Sequence, residues 1–163
     1  MRLLHISDLH LGKRVNEYSM LDDQAHILEQ ILKIADQEQA QGVLIAGDVY
    51  DKPVPPAEAV RLLDYLLNSF ADRKIPVFFI SGNHDSRDRL SFGSELFKKS
   101  GVYMASEGFL EKVDWEDEYG TLSIWLMPFL KPAQVRSVYP EKEIHTYTDA
   151  VRTVIEESSL DPD

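Results

Sequence analysis

Three short stretches of the sequence carry side chains that bind metals and transfer protons. They are Asp8-Leu9-His10, Gly47-Asp48 with Asp51 three residues on, and Gly82-Asn83-His84-Asp85. Each stretch directly follows an apolar run that is typical of a buried strand: LLHIS at 3–7, VLIA at 43–46 and PVFFI at 76–80. Each alone is also typical of an ordinary turn, and their joint occurrence is what indicates a shared site.

The residue types in these stretches match the ligands that divalent cations prefer. In an extended segment, residues two apart point to the same side, so Asp8 and His10 can both face one cation. Asp48 can offer its two carboxylate oxygens to two cations, and Asn83 offers a neutral carbonyl oxygen. Such donors suit Mn, Mg, Fe or Zn. The chain has no cysteine, which excludes thiolate metal sites and disulfides.

The elements between the three strands predict how the polar stretches are brought together. Residues 20–40 show apolar side chains at helical spacing, which predicts an amphipathic helix. Pro55-Pro56 predicts the start of a second helix that runs to about Phe70. The resulting β-α-β-α-β order predicts an α/β fold with a parallel sheet and right-handed crossovers. Because carboxyl ends of parallel strands share one edge, the polar stretches should converge there.

The pattern changes after residue 90. SFGSELFKKSG predicts a short helix closed by Gly101, and VYMA, GFLEKV and TLSIWLM predict strands, the last two joined by WEDEYG as a hairpin loop. Three prolines, at 128, 132 and 140, predict a loop. Residues 147–158 predict a final helix with Val151, Val154 and Ile155 on one face.

Composition and charge limit the class of protein. A chain of 163 residues with 44% hydrophobic content suits one folded domain. The net charge of -11 argues against a general basic surface for nucleic acid, and the acidic stretch 107–118 is typical of a solvated loop. No stretch approaches a membrane span, and the apolar run at the N-terminus is too short for a signal peptide. We therefore expect a cytoplasmic protein with no membrane partner.

The three stretches together resemble the D-x-H, G-D and G-N-H-[DE] signature of the calcineurin-like metallophosphoesterases. The longer segments HISDLHLGK, AGDVYDKPVPP and SGNHDSRDRLSFGS are closer still to the nuclease branch of that family whose members work with an SbcC-type ATPase. The resemblance runs from residue 1 to about 132. It implies β-sheet layers flanked by helices, and a DNA exonuclease and endonuclease that acts in DNA repair, recombination and replication.

The resemblance also implies roles for individual residues. By it, Asp8 and His10 hold one metal, Asp48 bridges two metals and Asn83 holds the second. His84 would face the scissile phosphate and help the leaving oxygen depart, and Asp51 would orient His84. The usual metal of the family is Mn²⁺, and two such ions can activate water and stabilise charge in an in-line displacement.

The sequence departs from the family pattern after His84. The family continues with G-H and G-H-x-H motifs, whereas this chain has only His145, which we expect at the surface; His5 and His26 we expect to be structural. The resemblance therefore implies that residues 1–163 are the N-terminal half of a metallophosphoesterase domain, without the later strands, the DNA-facing cap and the ATPase-binding segment. We expect weak or absent metal binding and no meaningful nuclease activity from this chain alone.

Two other functions remain open from the sequence. One is a non-catalytic interaction fragment, because the later histidines are missing. The other is a small-molecule phosphoesterase of the same superfamily, because fold does not fix substrate.

Self-association is a further expectation. The helix that follows Pro56 carries two apolar stripes, Val60-Leu63-Leu67 and Leu62-Leu66-Phe70. The resemblance implies a homodimer through this helix and the short helix at about 90–99. The alternative is that both stripes are buried within one monomer.

Overall fold

The structure is a computed structural model that describes residues 1–106 and 108–158. In chain order its elements are β1 (Leu3–Ile6), β2 (Arg14–Val15), β3 (Tyr18–Ser19), α1 (Leu21–Gln37), β4 (Gly42–Ala46), α2 (Ala57–Asp72), β5 (Val77–Ile80), α3 (Arg87–Leu90), α4 (Ser94–Lys98), β6 (Val102–Met104), β7 (Glu111–Asp117), β8 (Gly120–Leu126), α5 (Pro132–Val138) and α6 (Tyr147–Glu157).

The central sheet has the order β1-β4-β5-β6, and its three strand pairs are all parallel. Helix α1 connects the first two strands of this sheet and α2 connects the next two. The predicted β-α-β-α-β order is therefore confirmed. Ile6 lies opposite Ile45, and Ala46 lies opposite Ile80. The carboxyl ends of the three strands are thus level with one another at one edge of the sheet.

The main core lies between the sheet and the two long helices. β4 and β5 contribute Val43, Ile45 and Phe79, which are buried on this face of the sheet. The helices contribute their inward stripes, among them Leu28 of α1 and Leu66 of α2. Burying each such side chain stabilises the fold by about 1.5–3 kcal/mol. This packing makes the strands a rigid support for the loops that follow them.

The opposite face of the sheet is partly covered by the β7–β8 hairpin. Leu126 of the hairpin is buried against Phe78, and the Trp115 ring lies 5.7 Å from the Phe78 ring between centroids. Tyr103 stacks on the other side of this cluster, 5.2 Å from Phe78. Side chains of β7 alternate between half-buried and exposed, as expected of a strand with one solvated face.

The second half of the chain differs from its prediction in several places. WED of the predicted hairpin loop continues strand β7, so most of the acidic stretch 107–118 is strand rather than loop; Glu107 lies outside the described residues. Pro132 begins helix α5 instead of a loop, because proline is well accommodated in the first turn of a helix. The β2–β3 hairpin and α3 were not predicted.

Helix α6 buries only part of the predicted apolar face. Ala150, Thr153 and Val154 are buried, whereas Val151 and Ile155 are 38% and 42% exposed. The buried face packs on a small separate core formed with Leu130, Val135 and Ile144. Spacing alone could not decide which of two adjacent faces meets that core.

The remaining histidines lie apart from the loops at the carboxyl edge. His5, His26 and His145 are exposed; the His26 ring contacts the Gln30 amide, and the His145 backbone N–H donates to Asp149. Within the described ranges, no helix combines the length and the apolar character that crossing a bilayer requires.

A candidate metal centre at the carboxyl edge of the sheet

The loops that follow β1, β4 and β5 are joined by hydrogen bonds at the carboxyl edge. The backbone N–H of Asp8 donates to Gly47 O at 3.1 Å, and that of His10 donates to Asp48 O at 2.9 Å. The backbone N–H of His84 donates to Asp48 Oδ1 at 3.0 Å. The Asp48 loop therefore lies between the other two loops and holds both in register.

Three of the site residues adopt a left-handed backbone conformation that is rare outside glycine. The φ angles are 56° at Asp8, 42° at His10 and 48° at Asp48. Each such residue costs roughly 1–2 kcal/mol. Conformations of this kind persist only where surrounding contacts determine them, and they cluster at functional sites. Here the loop-to-loop hydrogen bonds provide those contacts.

The side chains of the predicted site residues converge on one centre. His10 Nε2 lies 3.8 Å from Asp8 Oδ1 and 3.9 Å from Asp48 Oδ2. One ligand atom each from His10, Asp48 and His84 lie within 4.8 Å of one another. Asn83, together with Asp8 and Asp48, lines a cavity of about 520 Å³ beside this cluster. All five residues are thus brought together from distant parts of the sequence.

The arrangement fits a divalent cation. The separations of 3.8 and 3.9 Å are too long for hydrogen bonds, yet donor atoms around one shared cation lie roughly 3–4 Å apart. His10 Nδ1 is buried and has no hydrogen-bond partner in the described part of the chain. It faces Asp51 Oδ1 at 3.6 Å. A metal-ligating histidine usually presents its second ring nitrogen to a carboxylate in this way.

Asp51 contacts both histidines, through different groups. Its backbone carbonyl accepts from His84 Nδ1 at 2.9 Å, whereas its carboxylate faces His10. The sequence predicts Asp51 as the partner of His84, and the structure places the Asp51 main chain in contact with that ring. The two imidazole rings meet edge to face, with centroids 4.9 Å apart.

The electrostatic surroundings raise the pKa of His84 above its usual value. The largest cause is the hydrogen bond to the Asp51 carbonyl, and the negative charges of Asp48, Asp51 and Asp85 add to it, against a smaller opposing effect of desolvation. The protonated imidazolium therefore persists to higher pH than in an isolated histidine. With Nδ1 held by the carbonyl, Nε2 is left as the second proton-carrying atom of the ring.

Asp85 has a positioning role that the sequence reasoning did not assign. Its carboxylate accepts three backbone N–H groups: Gly82 at 2.8 Å, Tyr50 at 2.8 Å and Val49 at 3.1 Å. It thereby ties the loop after β5 to the loop after β4.

Gly82 permits the close approach of these two loops. A Cβ at this position would lie 2.0 Å from Asp48 Oδ1 and 2.3 Å from Asp48 N. Any other residue would therefore displace the carboxylate at the centre of the cluster.

Comparison with known proteins agrees with this geometry. The family model of the calcineurin-like phosphoesterases matches residues 1–154. The chain is 36% identical over 160 residues to the SbcD subunit of the nuclease SbcCD from Staphylococcus epidermidis, covering 98% of this chain and 42% of that protein. It is 33% identical over 156 residues to the protein of the same name from Staphylococcus saprophyticus, covering 95% and 41%.

The chain thus spans about two fifths of the length of the curated relatives it matches. The family match, in contrast, extends over nearly the whole chain and includes the strand-end loops that carry the site. The chain belongs to the calcineurin-like phosphoesterase family.

Proposed function

We propose that this chain carries the active-site loops of a metal-dependent DNA nuclease that hydrolyses phosphodiester bonds. The observation that supports this most directly is the convergence of two aspartates, two histidines and an asparagine at the carboxyl edge of one parallel sheet. The names of the two relatives add the substrate class, because both are called nuclease subunits.

In this proposal the ligands are divided between two cations, of which Mn²⁺ is the expected kind. Asp8 and His10 would hold one, Asn83 would hold the second, and Asp48 would serve both. The Asp51 carboxylate orients His10 through Nδ1. A pair of bound cations supplies activation of a water nucleophile and charge stabilisation at the phosphate in an in-line displacement.

His84 is proposed as the general acid. Its ring is exposed at the cluster, and the hydrogen bond to the Asp51 carbonyl raises its pKa above the usual value, which favours the protonated form that an acid needs. The Asp51 carbonyl fixes the ring through Nδ1. This leaves Nε2–H free to donate a proton to the leaving oxygen of the phosphodiester.

DNA and an SbcC-like ATPase are the proposed partners, in DNA repair, recombination and replication. The net charge of -11 does not favour DNA binding by the general surface of this chain. We therefore propose that most of the DNA affinity of the assembly comes from the ATPase partner and from parts of the protein outside residues 1–163.

A homodimer is proposed through α2 and the segment around α4. Leu63, Leu66 and Phe70 of α2 are buried against the sheet, whereas Val60 is 45% exposed. Phe92 lines the same cavity as Val60 and is 83% exposed, and Leu96 of α4 is 67% exposed. Exposed apolar side chains that lie together are typical of interaction surfaces.

Sedimentation analysis tests the dimer. Glutamate at Phe92 and Leu96 together should shift the protein from dimer to monomer without unfolding it. Tyr119→Glu is the matched control, because Tyr119 is equally exposed but lies on the distant β7–β8 turn. A wild-type chain that stays monomeric at high concentration would contradict the proposal.

The chain alone is proposed to bind metal weakly or not at all, and to show no meaningful nuclease activity. Residues 1–163 supply three ligands to one cation and two to the other, and the later histidine motifs of the family are not among them. Loss of outer support alone typically lowers metal affinity ~10–100-fold, and loss of ligands should cost more.

Digestion of end-labelled linear duplex DNA in Mn²⁺ tests the function. The protein made from its full reading frame should cleave the DNA, and His84→Ala should abolish cleavage, whereas the surface variant His145→Ala should not. Turnover of nucleotide monoesters without cleavage of DNA would instead support a small-molecule phosphoesterase. Residues 1–163 tested beside it should be inactive; robust cleavage that His84→Ala abolishes would contradict that expectation.

A further inference from the structure

We infer that Gln24, in the first turn of α1, is a positioning residue that holds the loop bearing His10 in its site-forming shape. The Gln24 carboxamide Nε2 donates to His10 O at 2.7 Å and to Leu9 O at 3.2 Å. Its Oε1 accepts from the Gly12 N–H at 3.0 Å. One side chain thus contacts three of the four residues between Leu9 and Gly12. The link to metal binding rests on the function proposed above.

The loop needs such contacts on the side that faces α1. Its opposite side is held by the sheet, since the N–H groups of His10 and Leu11 donate to Asp48 O and Val49 O, both at 2.9 Å. The left-handed conformation of His10 turns the carbonyls of Leu9 and His10 toward the helix. Gln24 donates hydrogen bonds to both of these carbonyls and accepts one from the Gly12 N–H.

Glutamine is the residue type that this arrangement requires. A carboxamide offers donors and an acceptor from one group, whereas glutamate at neutral pH offers acceptors only and methionine offers neither strongly. Gln24 is half-buried, and α1 itself is anchored one turn later by the buried Leu28. The carboxamide is therefore presented by a rigid element rather than by another loop.

Gln30 on the same helix shows the contrast. It is exposed, and among the described residues its amide hydrogen-bonds only to the exposed His26 ring. Replacing it should leave the His10 loop unchanged, which makes it the matched control.

Loss of Gln24 should therefore act on one part of the site. The Leu9 carbonyl and the Gly12 N–H would lose their described partners, and the His10 carbonyl would keep only its bond from the Lys13 N–H. The backbone of His10 would then relax toward ordinary φ values. Asp48, Asn83 and His84 have no contact with Gln24 among the described hydrogen bonds. The affinity for the cation that His10 binds should fall by about tenfold.

The first experiment uses metal-free protein and nuclear magnetic resonance. In Gln24→Met, amide hydrogen exchange at Gly12 should be about tenfold faster, and the backbone ¹³C shifts of His10 should leave their left-handed values. Exchange at Val43 and Ile45 should match that of the wild type, which shows that the sheet is intact. Gln24→Glu should give the same changes, and Gln30→Met should give none. Unchanged Gly12 exchange and His10 shifts in both Gln24 variants would overturn the inference.

The second experiment measures Mn²⁺ binding from the paramagnetic resonance signal of the free ion. Gln24→Met should raise the dissociation constant about tenfold while Gln30→Met leaves it unchanged. A Gln24 variant with a relaxed loop and wild-type affinity would overturn the link between loop shape and metal binding. If the protein made from its full reading frame took up no Mn²⁺, that result would count against the proposed function, and the metal-free measurement would still decide the role of Gln24.

Discussion

Two regions of the molecule face each other across the candidate site, and they are held in place differently. On one side are the loops after β1, β4 and β5, which are joined by backbone bonds and by the carboxylate of Asp85. On the other side is the segment 127–158, whose Met127, Phe129, Tyr147 and Val151 form the apolar wall of the same cavity.

The wall makes few hydrogen bonds to the loops in the described part of the chain. In the described ranges, one hydrogen bond joins segment 127–158 to them, from the Phe129 N–H to Ser81 O at 2.8 Å. The segment otherwise packs on a small core of its own. Its outer apolar side chains Tyr147, Val151 and Ile155 line a shallow open depression. The loops that carry the site residues are thus held rigidly by directional hydrogen bonds. The wall is held by weaker, non-directional apolar contacts, which allow it to move more easily.

Gly82→Ala should have the largest effect, because it forces apart the loops after β4 and β5. The new Cβ would lie 2.0 Å from Asp48 Oδ1, so the loops must separate. We expect a loss of roughly 1–3 kcal/mol of stability from overpacking, and a fall of about 100-fold or more in Mn²⁺ affinity. Denaturant titration and Mn²⁺ titration measure the two effects.

Gly108→Ala is the control for that substitution. Gly108 has a φ of 64°, and a Cβ there meets no described atom within 4 Å. It should cost only the roughly 1–2 kcal/mol of a strained backbone and leave Mn²⁺ affinity unchanged. Equal losses of affinity in the two variants would mean that the close approach at Gly82 is not what positions Asp48.

Asp85→Asn should have the next largest effect. The carboxamide has one acceptor oxygen in place of two, so at least one of the N–H groups of Gly82, Val49 and Tyr50 is left without its partner. A buried donor without a partner costs about 1–3 kcal/mol. Urea denaturation should show this loss as a lower midpoint with an unchanged slope.

Asp114→Asn makes the same chemical change on the β7–β8 hairpin. Asp114 is exposed and bonded to Ser123 and Lys112, and surface pairs of this kind contribute little. We expect a change within about 0.5 kcal/mol. A loss as large as that of Asp85→Asn would show that the two regions do not differ in how their carboxylates are used.

Val135→Ala tests whether the wall can loosen separately. Val135 is fully buried in the small core of segment 127–158. Losing two methyl groups should cost about 1–3 kcal/mol. Amide hydrogen exchange should accelerate across 127–158 while the amides of β4 and β5 keep their protection.

Val43→Ala is the matched change in the sheet, since Val43 is equally buried in β4. It should accelerate exchange in both regions, because segment 127–158 directly follows β8, whose Leu126 is buried against Phe78 of the sheet. If Val135→Ala also accelerated exchange in β4 and β5 to the same extent, the two regions would form one cooperative unit.

The same contrast explains how far the sequence could be interpreted. The strands that carry the site were predictable because they are continuous apolar runs with a polar stretch at the end, and the parallel order follows from the helices between them. Short elements such as α5 were missed because a proline signals a loop and a helix start alike. Which face of α6 is buried could not be predicted, because two adjacent faces of this helix both carry apolar side chains and the core that it packs on is small.

The contacts of individual site residues also divide into those that the sequence predicts and those that it does not. Convergence of Asp8, Asp48 and Asn83 follows from topology, since each comes at the carboxyl end of a parallel strand. The contact of the Asp51 main chain with His84 does not, because sequence patterns identify side chains and not carbonyl groups. Gln24 gives no signal, since its loop partners precede it by 12 to 15 residues.

The smallest predicted effect is that of acidic pH on the N-terminal cap of helix α6, which belongs to the wall segment 127–158. Helix α6 begins with a reciprocal cap, in which the Thr146 side chain accepts from the Asp149 N–H at 3.1 Å and the Asp149 carboxylate accepts from the Thr146 N–H at 2.8 Å. The Thr146 side chain, then the N–H groups of Thr146 and His145, hold the pKa of Asp149 below its usual 3.8.

Because the folded-state pKa is lowered, the cap contributes its full stability above pH 3.8 and loses it as the pH falls through the lower folded value. Exchange of the first-turn amides of α6 should therefore accelerate, relative to the amides of β4, as the pH falls below about 3.8. Protonation of Asp149 weakens its bonds to the Thr146 and His145 N–H groups, and this loosens the cap that holds the first turn. Asp149→Asn should remove this extra pH dependence and fray the first turn at neutral pH. A variant and a wild type with the same pH profile would mean that the first turn of α6 is held by packing on the small core and not by its cap.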